Sequence, residues 1–349
     1  RSVKTKAAVL FEINQPLRIV DLKIPKLKPG QVLVDIAYSG VCHSQLNEIR
    51  GLKGEDKFLP HTLGHEGSGL VVDVGQSVTK VKPGDHIVLT WIKGEGHDVP
   101  STVYQSSEGP VNSGAISTFM EKSVISENRL VHIPKQMPLK EAALLGCAIP
   151  TGAGIILNNA KLNSGDSIAV FGVGGIGLSA VLAASTQGSK KIIAVDIIDY
   201  KLEFAKQLGA THLINASDKD PLSEIMNITI GKGVDYAIEA AGRKDTMETA
   251  FQSVRNRGGK CVIAGNLPIG EEISINPMDL IRGKKIVGTW GGEAHIEKDI
   301  SKYLEWHISG KMNLDKLITH DFELKNINKA FSGLENGKIG RGVIFNSSY

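Results

Sequence analysis

Residues 167–177 read Ser-Ile-Ala-Val-Phe-Gly-Val-Gly-Gly-Ile-Gly, an apolar run of strand length that ends in a cluster of glycines. The glycines fit the pattern G-x-G-x-x-G, which joins a strand to a helix in dinucleotide-binding units. Gly172 would permit the tight turn, Gly174 would let the backbone approach a pyrophosphate, and Gly177 would allow the helix to pack on the strand. The motif therefore predicts a phosphate-binding turn formed by Gly172, Gly174, Gly175, Ile176 and Gly177.

A carboxylate at the end of the next apolar run favours a dinucleotide site over a purely structural α/β unit. Asp196 follows the run Lys191–Val195 and lies 19 residues beyond Gly177, where about 20 are expected. It would accept both hydroxyls of an adenosine ribose and repel a 2′-phosphate, so NAD is favoured over NADP. Lys201 could reach the same ribose, although an ordinary solvated helix lysine is an equal alternative.

The rhythm of apolar runs predicts two kinds of domain. Residues 5–150 contain short Val- and Ile-rich runs between Pro/Gly turns, which indicates an all-β domain with an open loop at 93–114. Residues 167–290 alternate strand-length and helix-length segments, which is typical of a doubly wound parallel sheet. A helix at Ile296–Ser309 and a strand at Gly342–Phe345 are expected after it. The fold class is therefore α/β with a second, β-rich domain.

The composition argues against several classes of protein. The chain has 349 residues, a net charge of +3 and a pI of about 8.6, a bias too mild for a nucleic-acid-binding surface. Three cysteines cannot form a disulfide framework and no secretory leader pattern is present, so a reducing cytoplasm is expected. The uncharged run 167–189 is long enough for a bilayer span, but its glycines predict a turn, so no membrane partner is expected.

Four residues outside the glycine loop carry the donor atoms of a metal site. They are Cys42, His65, Glu66 and Cys147. Two thiols, an imidazole and a carboxylate suit Zn²⁺, and three protein ligands with one exchangeable position would make a catalytic site. Each residue also has a structural alternative, because cysteine is commonly a small buried hydrophobe and a His-Glu pair is commonly polar surface.

Taken together, these motifs resemble the zinc-dependent alcohol dehydrogenases of the medium-chain dehydrogenase/reductase superfamily, over nearly the whole chain. The resemblance implies a GroES-like β-rich catalytic domain over residues 1–150 and 291–349, and a Rossmann coenzyme domain over residues 151–290. It also implies zinc- and NAD-dependent interconversion of an alcohol and its aldehyde or ketone by hydride transfer, with the substrate oxygen on zinc. The segments that carry the resemblance are Gly64–Gly69, Val81–Asp85, Gly146-Cys147 with Thr151-Gly152, and the glycine loop.

The resemblance also assigns roles to single residues. Cys42, His65 and Cys147 would be the catalytic zinc ligands, with Glu66 near the metal or bound to it. The further coenzyme contacts that the resemblance implies are His43 and Arg341 at the pyrophosphate, Thr151 at the nicotinamide, and Ala264 and Trp290 at its carboxamide.

On the substrate side, the resemblance makes Ser44 the hydroxyl that passes on the substrate proton. Trp91 would narrow the substrate pocket, unless it is plain core packing. Asn47 stands where many family members have the histidine that ends the proton relay, and an amide cannot exchange a proton near neutral pH. The proton is therefore expected to leave through water or the ribose.

Two further departures concern the metal. No cysteine lies between residues 93 and 112, where the family has a lobe of four cysteines, so one catalytic zinc and no structural zinc are expected. Gln45 stands where an Asp normally orients the histidine ligand. We expect its amide oxygen to replace the carboxylate beside that histidine and to weaken zinc binding.

Other functions stay open at this point. One is a zinc-free medium-chain reductase that acts on an activated double bond or a quinone, and another is a non-catalytic NAD-binding sensor. The expected partner is a small-molecule alcohol or carbonyl compound of unknown identity. The resemblance further implies a homodimer or homotetramer formed through the coenzyme domain.

Overall fold

The computed structural model describes residues 3–346, which fold into two compact units. The first unit runs to Cys147 and resumes at His295, and the second unit is Ala148–Ala294. The sequence placed the domain limits at residues 150 and 290. These limits describe domains that fold independently, and they stay a prediction.

Eighteen strands are found within the described residues. In chain order they are β1 (Lys4–Leu10), β2 (Arg18–Lys23), β3 (Gln31–Gly40), β4 (His61–Thr62), β5 (Glu66–Val74), β6 (His86–Thr90), β7 (Val103–Ser106), β8 (Gly109–Asn112), β9 (Lys122–Ser126), β10 (Leu130–Ile133), β11 (Ser167–Phe171), β12 (Lys191–Asp196), β13 (His212–Asn215), β14 (Tyr236–Glu239), β15 (Lys260–Ile263), β16 (Lys285–Gly288), β17 (His320–Glu323) and β18 (Gly342–Phe345).

The same residues form ten α-helices, joined by short 3₁₀ turns and one π-helical segment at Ile155–Ala160. The α-helices are α1 (His43–Ile49), α2 (Leu139–Ala142), α3 (Ala148–Gly154), α4 (Gly175–Thr186), α5 (Asp199–Gln207), α6 (Pro221–Ile228), α7 (Lys244–Ser253), α8 (Pro277–Ile281), α9 (Ile296–Ile308) and α10 (Ile327–Glu335).

The first unit contains a closed barrel and a larger sheet. The barrel has the order β1-β2-β7-β8-β4, and the sheet has the order β10-β6-β5-β3-β18-β17, with β9 also paired to β3. Strand β18 lies antiparallel to β3, with Val343 opposite Gly40. The returning end of the chain therefore brings Arg341 next to Val41, where β3 ends.

Two expectations for this unit are wrong. Residues 5–150 are not all β, because α1 buries Leu46 and Ile49 in an apolar core. The expected open loop at 93–114 contains the hairpin β7–β8, in which Tyr104 is fully buried. Both elements are too short for their periodicity to be visible in the sequence.

The second unit is built on a six-stranded sheet in the order β13-β12-β11-β14-β15-β16, with all neighbours parallel. This confirms the predicted doubly wound sheet, and β11 occupies the apolar run that precedes the glycine loop. The direction of strand succession reverses between β11 and β14. Ligands of such sheets bind beyond the carboxyl ends of the strands at this reversal, which is where the glycine loop leaves β11.

The uncharged run 167–189 is occupied by β11, the glycine loop and α4. Within residues 3–346 no single helix is long and apolar enough to cross a membrane. Leu139–Gly146 and Ala148–Ala160 would reach that length only as a bent pair, by length and composition alone.

Candidate catalytic metal centre and coenzyme loop

Three of the predicted metal ligands meet in the first unit. Cys42 precedes α1, His65 precedes β5, and Cys147 follows the 3₁₀ turn at 143–146. Both thiols are buried, and none of the described cysteines forms a disulfide. A hydrogen bond with the Cys147 side chain lowers the pKa of the Cys42 thiol well below its usual value. Burial opposes this shift, and the charges of His65 and Arg341 add to it.

The donor set of this cluster fits a zinc ion. Nε2 of His65 is buried and has no hydrogen-bond partner within residues 3–346, so this ring nitrogen can bind a metal ion beside the Cys42 thiol when the ring hydrogen is on Nδ1. Thiolate sulfur and imidazole nitrogen are ligands that Zn²⁺ takes, and a thiol with a lowered pKa readily becomes a thiolate. Three such ligands leave a fourth coordination position for a small molecule.

The second nitrogen of the His65 ring, Nδ1, contacts the amide of Gln45. The Gln45 side chain is buried, its Oε1 atom accepts the backbone N–H of Cys42 at 3.0 Å, and its Nε2 atom faces Nδ1. The expectation that an amide oxygen would face the histidine is therefore wrong. The oxygen is used at the first turn of α1, where a side-chain acceptor caps an otherwise unpaired N–H.

Glu66 is fully buried and forms an ion pair with Arg341, which is 4% exposed. Arg341 also donates from Nη1 to the Val41 carbonyl at 2.8 Å. Burial lowers the pKa of the Arg341 guanidinium, and the nearby Cys42 raises it. Gly40 is required beside this pair, because a Cβ there would overlap the Glu66 carboxylate. The structure thus places Arg341 beside the metal ligands, and its contact with a pyrophosphate stays a prediction.

Ser44, the predicted proton carrier, lies in the first turn of α1. Its Oγ atom accepts a hydrogen bond of 2.7 Å from the ammonium group of Lys53. Sequence reasoning missed Lys53, since no motif marks it. His43, the first residue of α1, is exposed. Trp91 follows β6, is half-buried and accepts a hydrogen bond from Arg129 on its carbonyl oxygen.

In the glycine loop of the second unit, packing explains why two positions carry glycine. Gly172 has a φ of +89°, and a Cβ there would lie 2.7 Å from the backbone nitrogen of Ala241. A Cβ at Gly177 would overlap the carbonyl oxygen of Gly172, so α4 can approach β11 only without a side chain there. A Cβ at Gly174 would have no described atom within 4 Å. Packing therefore does not require glycine at that position, whereas close approach of a ligand would.

The carboxylate of Asp196 lies beside this loop and is held by backbone N–H groups. Its Oδ2 atom accepts from Val173 at 3.0 Å, and its Oδ1 atom accepts from Ile197 and Ile198 at 2.7 and 3.1 Å. These contacts orient the carboxylate and leave lone pairs for further donors. Lys201 is buried, so the alternative of a solvated lysine is wrong.

The remaining predicted coenzyme contacts also lie in the second unit. Thr151 is buried, and its Oγ1 atom has no hydrogen-bond partner among residues 3–346. The Ala264 N–H donates to the Glu239 carbonyl at 2.8 Å. At Trp290 the backbone N–H donates to the Glu293 carboxylate at 3.2 Å, and the carbonyl accepts the Glu293 N–H at 3.0 Å. Thr151 therefore offers an unused polar atom, whereas both backbone groups of Trp290 already have a partner.

In the region where the family has its cysteine lobe, this chain is held by a buried carboxylate that sequence reasoning missed. Glu127 accepts the N–H groups of Thr79, Lys80 and His97 at 2.8–3.1 Å, and Nδ1 of His97 at 2.6 Å. Burial raises the pKa of Glu127, but these hydrogen bonds outweigh burial and lower the pKa to about 2. A carboxylate thus fastens the segment that contains His97 to the rest of the first unit.

Two protein families match the chain. Residues 28–135 match the alcohol dehydrogenase GroES-like domain, and residues 175–309 match the zinc-binding dehydrogenase family. These matches, with the parallel sheet of the second unit, confirm the predicted combination of a GroES-like domain and a Rossmann domain.

Named relatives cover nearly the whole chain. The S-(hydroxymethyl)glutathione dehydrogenase of Synechocystis sp. is 36% identical, over 98% of this chain and 100% of its own length. The class-3 alcohol dehydrogenase of Cereibacter sphaeroides is 32% identical with the same coverage. Among solved structures, benzyl alcohol dehydrogenase from Acinetobacter calcoaceticus has a TM-score of 0.90 at 31% identity, covering 99% of this chain and 100% of its own. The chain therefore belongs to the zinc-dependent alcohol dehydrogenases of the medium-chain dehydrogenase/reductase superfamily, oxidoreductases that act on CH–OH donors with zinc and NAD.

Proposed function

We propose that Cys42, His65 and Cys147 hold one zinc ion and form the catalytic centre at which an alcohol and its aldehyde or ketone are interconverted. The observation that carries this proposal is the buried Nε2 atom of His65, which has no hydrogen-bond partner within the described chain and lies beside the Cys42 thiol. When bound, the zinc ion supplies a Lewis acid that makes an alcohol easier to deprotonate near neutral pH. Glu66, which forms an ion pair with Arg341, follows His65 in the sequence and would lie near the zinc ion or bind it.

Ser44 is the group that we propose to exchange a proton with the substrate oxygen. Its Oγ atom already accepts an N–H of Lys53, so its own hydroxyl hydrogen is available for donation to a carbonyl substrate. In the direction of alcohol oxidation the Ser44 oxygen takes up the substrate proton while its own hydroxyl hydrogen passes to the next acceptor, so the serine stays neutral. Asn47 cannot take the proton further, so it leaves through water or the coenzyme ribose.

In the second unit, we propose that the glycine loop and the N-terminus of α4 bind the coenzyme pyrophosphate. Gly174 leaves the space that a phosphate needs, and the first N–H groups of α4 supply donors. The Asp196 carboxylate, already aimed by three backbone N–H groups, would accept the ribose hydroxyls, with Lys201 beside them. Thr151 would use its unpartnered hydroxyl at the nicotinamide.

The test of the metal centre is the variant Cys42→Ala, with Cys261→Ala as the matched control. Cys261 is a buried cysteine in the core of the second unit. We expect Cys42→Ala to lose bound zinc and turnover but to keep NADH binding, measured by metal analysis, steady-state rates and nucleotide fluorescence. Cys261→Ala should keep all three properties. Turnover retained in Cys42→Ala would overturn the proposed centre.

For the substrate, we propose a primary alcohol that carries a negatively charged group. The support is Lys53, whose ammonium group lies 2.7 Å from the Ser44 hydroxyl and places a positive charge beside the proposed proton carrier. The name of the Synechocystis relative gives S-(hydroxymethyl)glutathione as that enzyme's substrate, and glutathione carries carboxylates. A comparison of kcat/KM for S-(hydroxymethyl)glutathione and benzyl alcohol tests this class. A preference for benzyl alcohol would contradict the proposal.

For the assembly, we propose a homo-oligomer formed through the second unit, in the cytoplasm. Strand β16 is at an edge of its sheet, and nearby apolar side chains are solvent-exposed, with Ile281 75% and Leu280 47% exposed. Unpaired strand edges and exposed apolar patches are typical of interfaces. Light scattering should give a dimer or tetramer that Ile281→Glu dissociates. Cysteine side chains that form no disulfide, as here, are typical of a reducing compartment such as the cytoplasm, which supports that part of the proposal.

A further inference from the structure

A second group of metal-ligating side chains lies in the first unit and includes none of the proposed zinc ligands. Glu48 is on α1, Asp56 is in the loop between α1 and β4, and His61 is the first residue of β4. One ligand atom from each residue lies within 4.8 Å of the other two. His61 is 5% exposed, and the side chains of Asp56 and Glu48 are 10% and 33% exposed, so the group is largely withdrawn from water.

The orientation of the His61 ring is fixed from outside this group. Nδ1 of His61 lies 2.9 Å from the carbonyl oxygen of Thr62. A carbonyl oxygen can only accept, so Nδ1 carries the hydrogen. Nε2, the second ring nitrogen, lies 2.6 Å from Oδ2 of Asp56 and 3.8 Å from Oε1 of Glu48. In a neutral ring with this tautomer, the Nε2 lone pair would face two carboxylates.

A lone pair directed at two carboxylates at these distances is unfavourable unless a cation lies between them. The cation can be a proton on Nε2, which makes an imidazolium ion pair, or a metal ion that binds all three groups. Asp56 is prepared for either occupant, because its Oδ1 atom accepts the Phe58 N–H at 3.0 Å while Oδ2 stays directed at the ring. A metal-binding histidine usually donates the N–H of its other ring nitrogen to a carbonyl or carboxylate oxygen, as Nδ1 of His61 does here.

We propose that Glu48, Asp56 and His61 form a binding site for a divalent metal ion, separate from the catalytic zinc. One imidazole nitrogen and two carboxylate oxygens suit Zn²⁺ or Mn²⁺. In a tetrahedral site with bonds of about 2.1 Å the ligand atoms lie about 3.4 Å apart. The present separations of 2.6 and 3.8 Å reach that value by small side-chain movements. The metal displaces the Nε2 proton and joins α1, the loop and β4.

The experiment titrates the zinc-loaded enzyme with Mn²⁺ at neutral pH and follows free Mn²⁺ by electron paramagnetic resonance. Mn²⁺ prefers oxygen and nitrogen ligands, so it should not displace zinc from two thiolates. We expect one Mn²⁺ per chain, with affinity reduced by at least about tenfold in Asp56→Asn and His61→Gln. Glu55→Gln, which removes the exposed carboxylate next to Asp56, should bind Mn²⁺ as the unchanged enzyme does.

Two further measurements keep the outcome clear. If His61→Gln does not fold, Glu48→Gln, whose side chain is partly exposed, tests the same site. Mn²⁺ should also raise the unfolding temperature of the unchanged enzyme and not that of Asp56→Asn. Equal binding by all variants, or no Mn²⁺ and no second Zn²⁺ bound at millimolar concentration, would overturn the proposal. The cation beside His61 would then be a proton.

Discussion

The side-chain nitrogen of Gln45 faces Nδ1 of His65, while the side-chain oxygen of the same amide accepts the backbone N–H of Cys42 at 3.0 Å. An amide N–H that donates to Nδ1 places the ring hydrogen on Nε2. A histidine that binds a metal through Nε2 needs the opposite tautomer, with its hydrogen on Nδ1 directed at an acceptor. Zinc binding through Nε2 therefore requires the Gln45 amide to turn over, which gives up the cap on Cys42 at a cost of about 1 kcal/mol.

Gln45→Glu removes this conflict without a change of length. One carboxylate oxygen can accept the Cys42 N–H while the other accepts the Nδ1 hydrogen, so we expect zinc affinity to rise by about tenfold or more. Competition with a chromophoric chelator measures the change. Gln31→Glu is the matched control, because Gln31 is a buried glutamine that binds Lys28 and Thr102. An unchanged zinc affinity in Gln45→Glu would show that the amide does not limit metal binding.

The parts of the site that the sequence predicted well are those made by neighbouring residues. The strand, the glycine turn and the helix start lie within residues 167–177, and the reasons for glycine at Gly172 and Gly177 are contacts in or beside that segment. The cluster of Cys42, His65 and Cys147 is different. Its members are far apart in sequence, so residue types alone suggested a metal site, and only the resemblance to a family assigned it.

The parts that the sequence did not predict depend on contacts between distant loops. Glu127 receives hydrogen bonds from residues 30 to 48 positions away, and nothing in its local sequence marks it as buried. The direction of the Gln45 amide was also missed. It depends on whether the amide oxygen accepts the Cys42 backbone N–H or a hydrogen on Nδ1 of His65. Local patterns describe periodicity and turn chemistry, whereas these features require the folded chain.

Asp196→Asn tests the choice of coenzyme. The carboxylate is oriented by backbone N–H groups, so an amide oxygen at the Oδ1 position should keep the bonds from Ile197 and Ile198 while the side chain loses the charge that repels a 2′-phosphate. A lost hydrogen bond to a charged group costs about 1.5–3 kcal/mol, so kcat/KM for NAD should fall by about tenfold or more relative to NADP. Asp199→Asn, on the same turn and bonded to Asn215, is the control and should not change the ratio.

Lys53→Met tests the proposed charge at the substrate. If the ammonium group beside Ser44 attracts an anionic substrate, kcat/KM for 4-carboxybenzyl alcohol should fall by about tenfold, and that for benzyl alcohol should change little. Lys57→Met removes an exposed charge from the same loop and should leave both values nearly unchanged. Equal losses for both alcohols in Lys53→Met would indicate that Lys53 positions Ser44 and does not select the substrate.

Arg341→Met should be strongly destabilising because it leaves the carboxylate of Glu66 buried without its ion-pair partner. Removing one member of a buried pair costs about 3–5 kcal/mol, whereas removing both charges costs much less. The double variant Glu66→Gln with Arg341→Met should therefore be more stable than Arg341→Met alone in urea unfolding of the zinc-free protein. If the double variant is as unstable as the single one, packing by the Arg341 side chain is the larger effect.

Glu127→Gln should destabilise the protein near neutral pH and lose this effect in acid. The pKa of Glu127 is about 2 in the folded chain, against about 4.3 in an unfolded one. Its contribution to stability is therefore complete above the unfolded pKa, and it is lost as the pH falls from about 4.3 towards 2. The shift corresponds to about 3 kcal/mol at neutral pH. Urea unfolding of both forms should thus show a large difference at neutral pH that shrinks below about pH 4.

Glu108→Gln, which breaks an exposed pair with Arg18, should change stability by less than about 1 kcal/mol. A Glu127→Gln effect that is constant with pH would mean that the shape of the side chain, and not its charge, holds the segment containing His97.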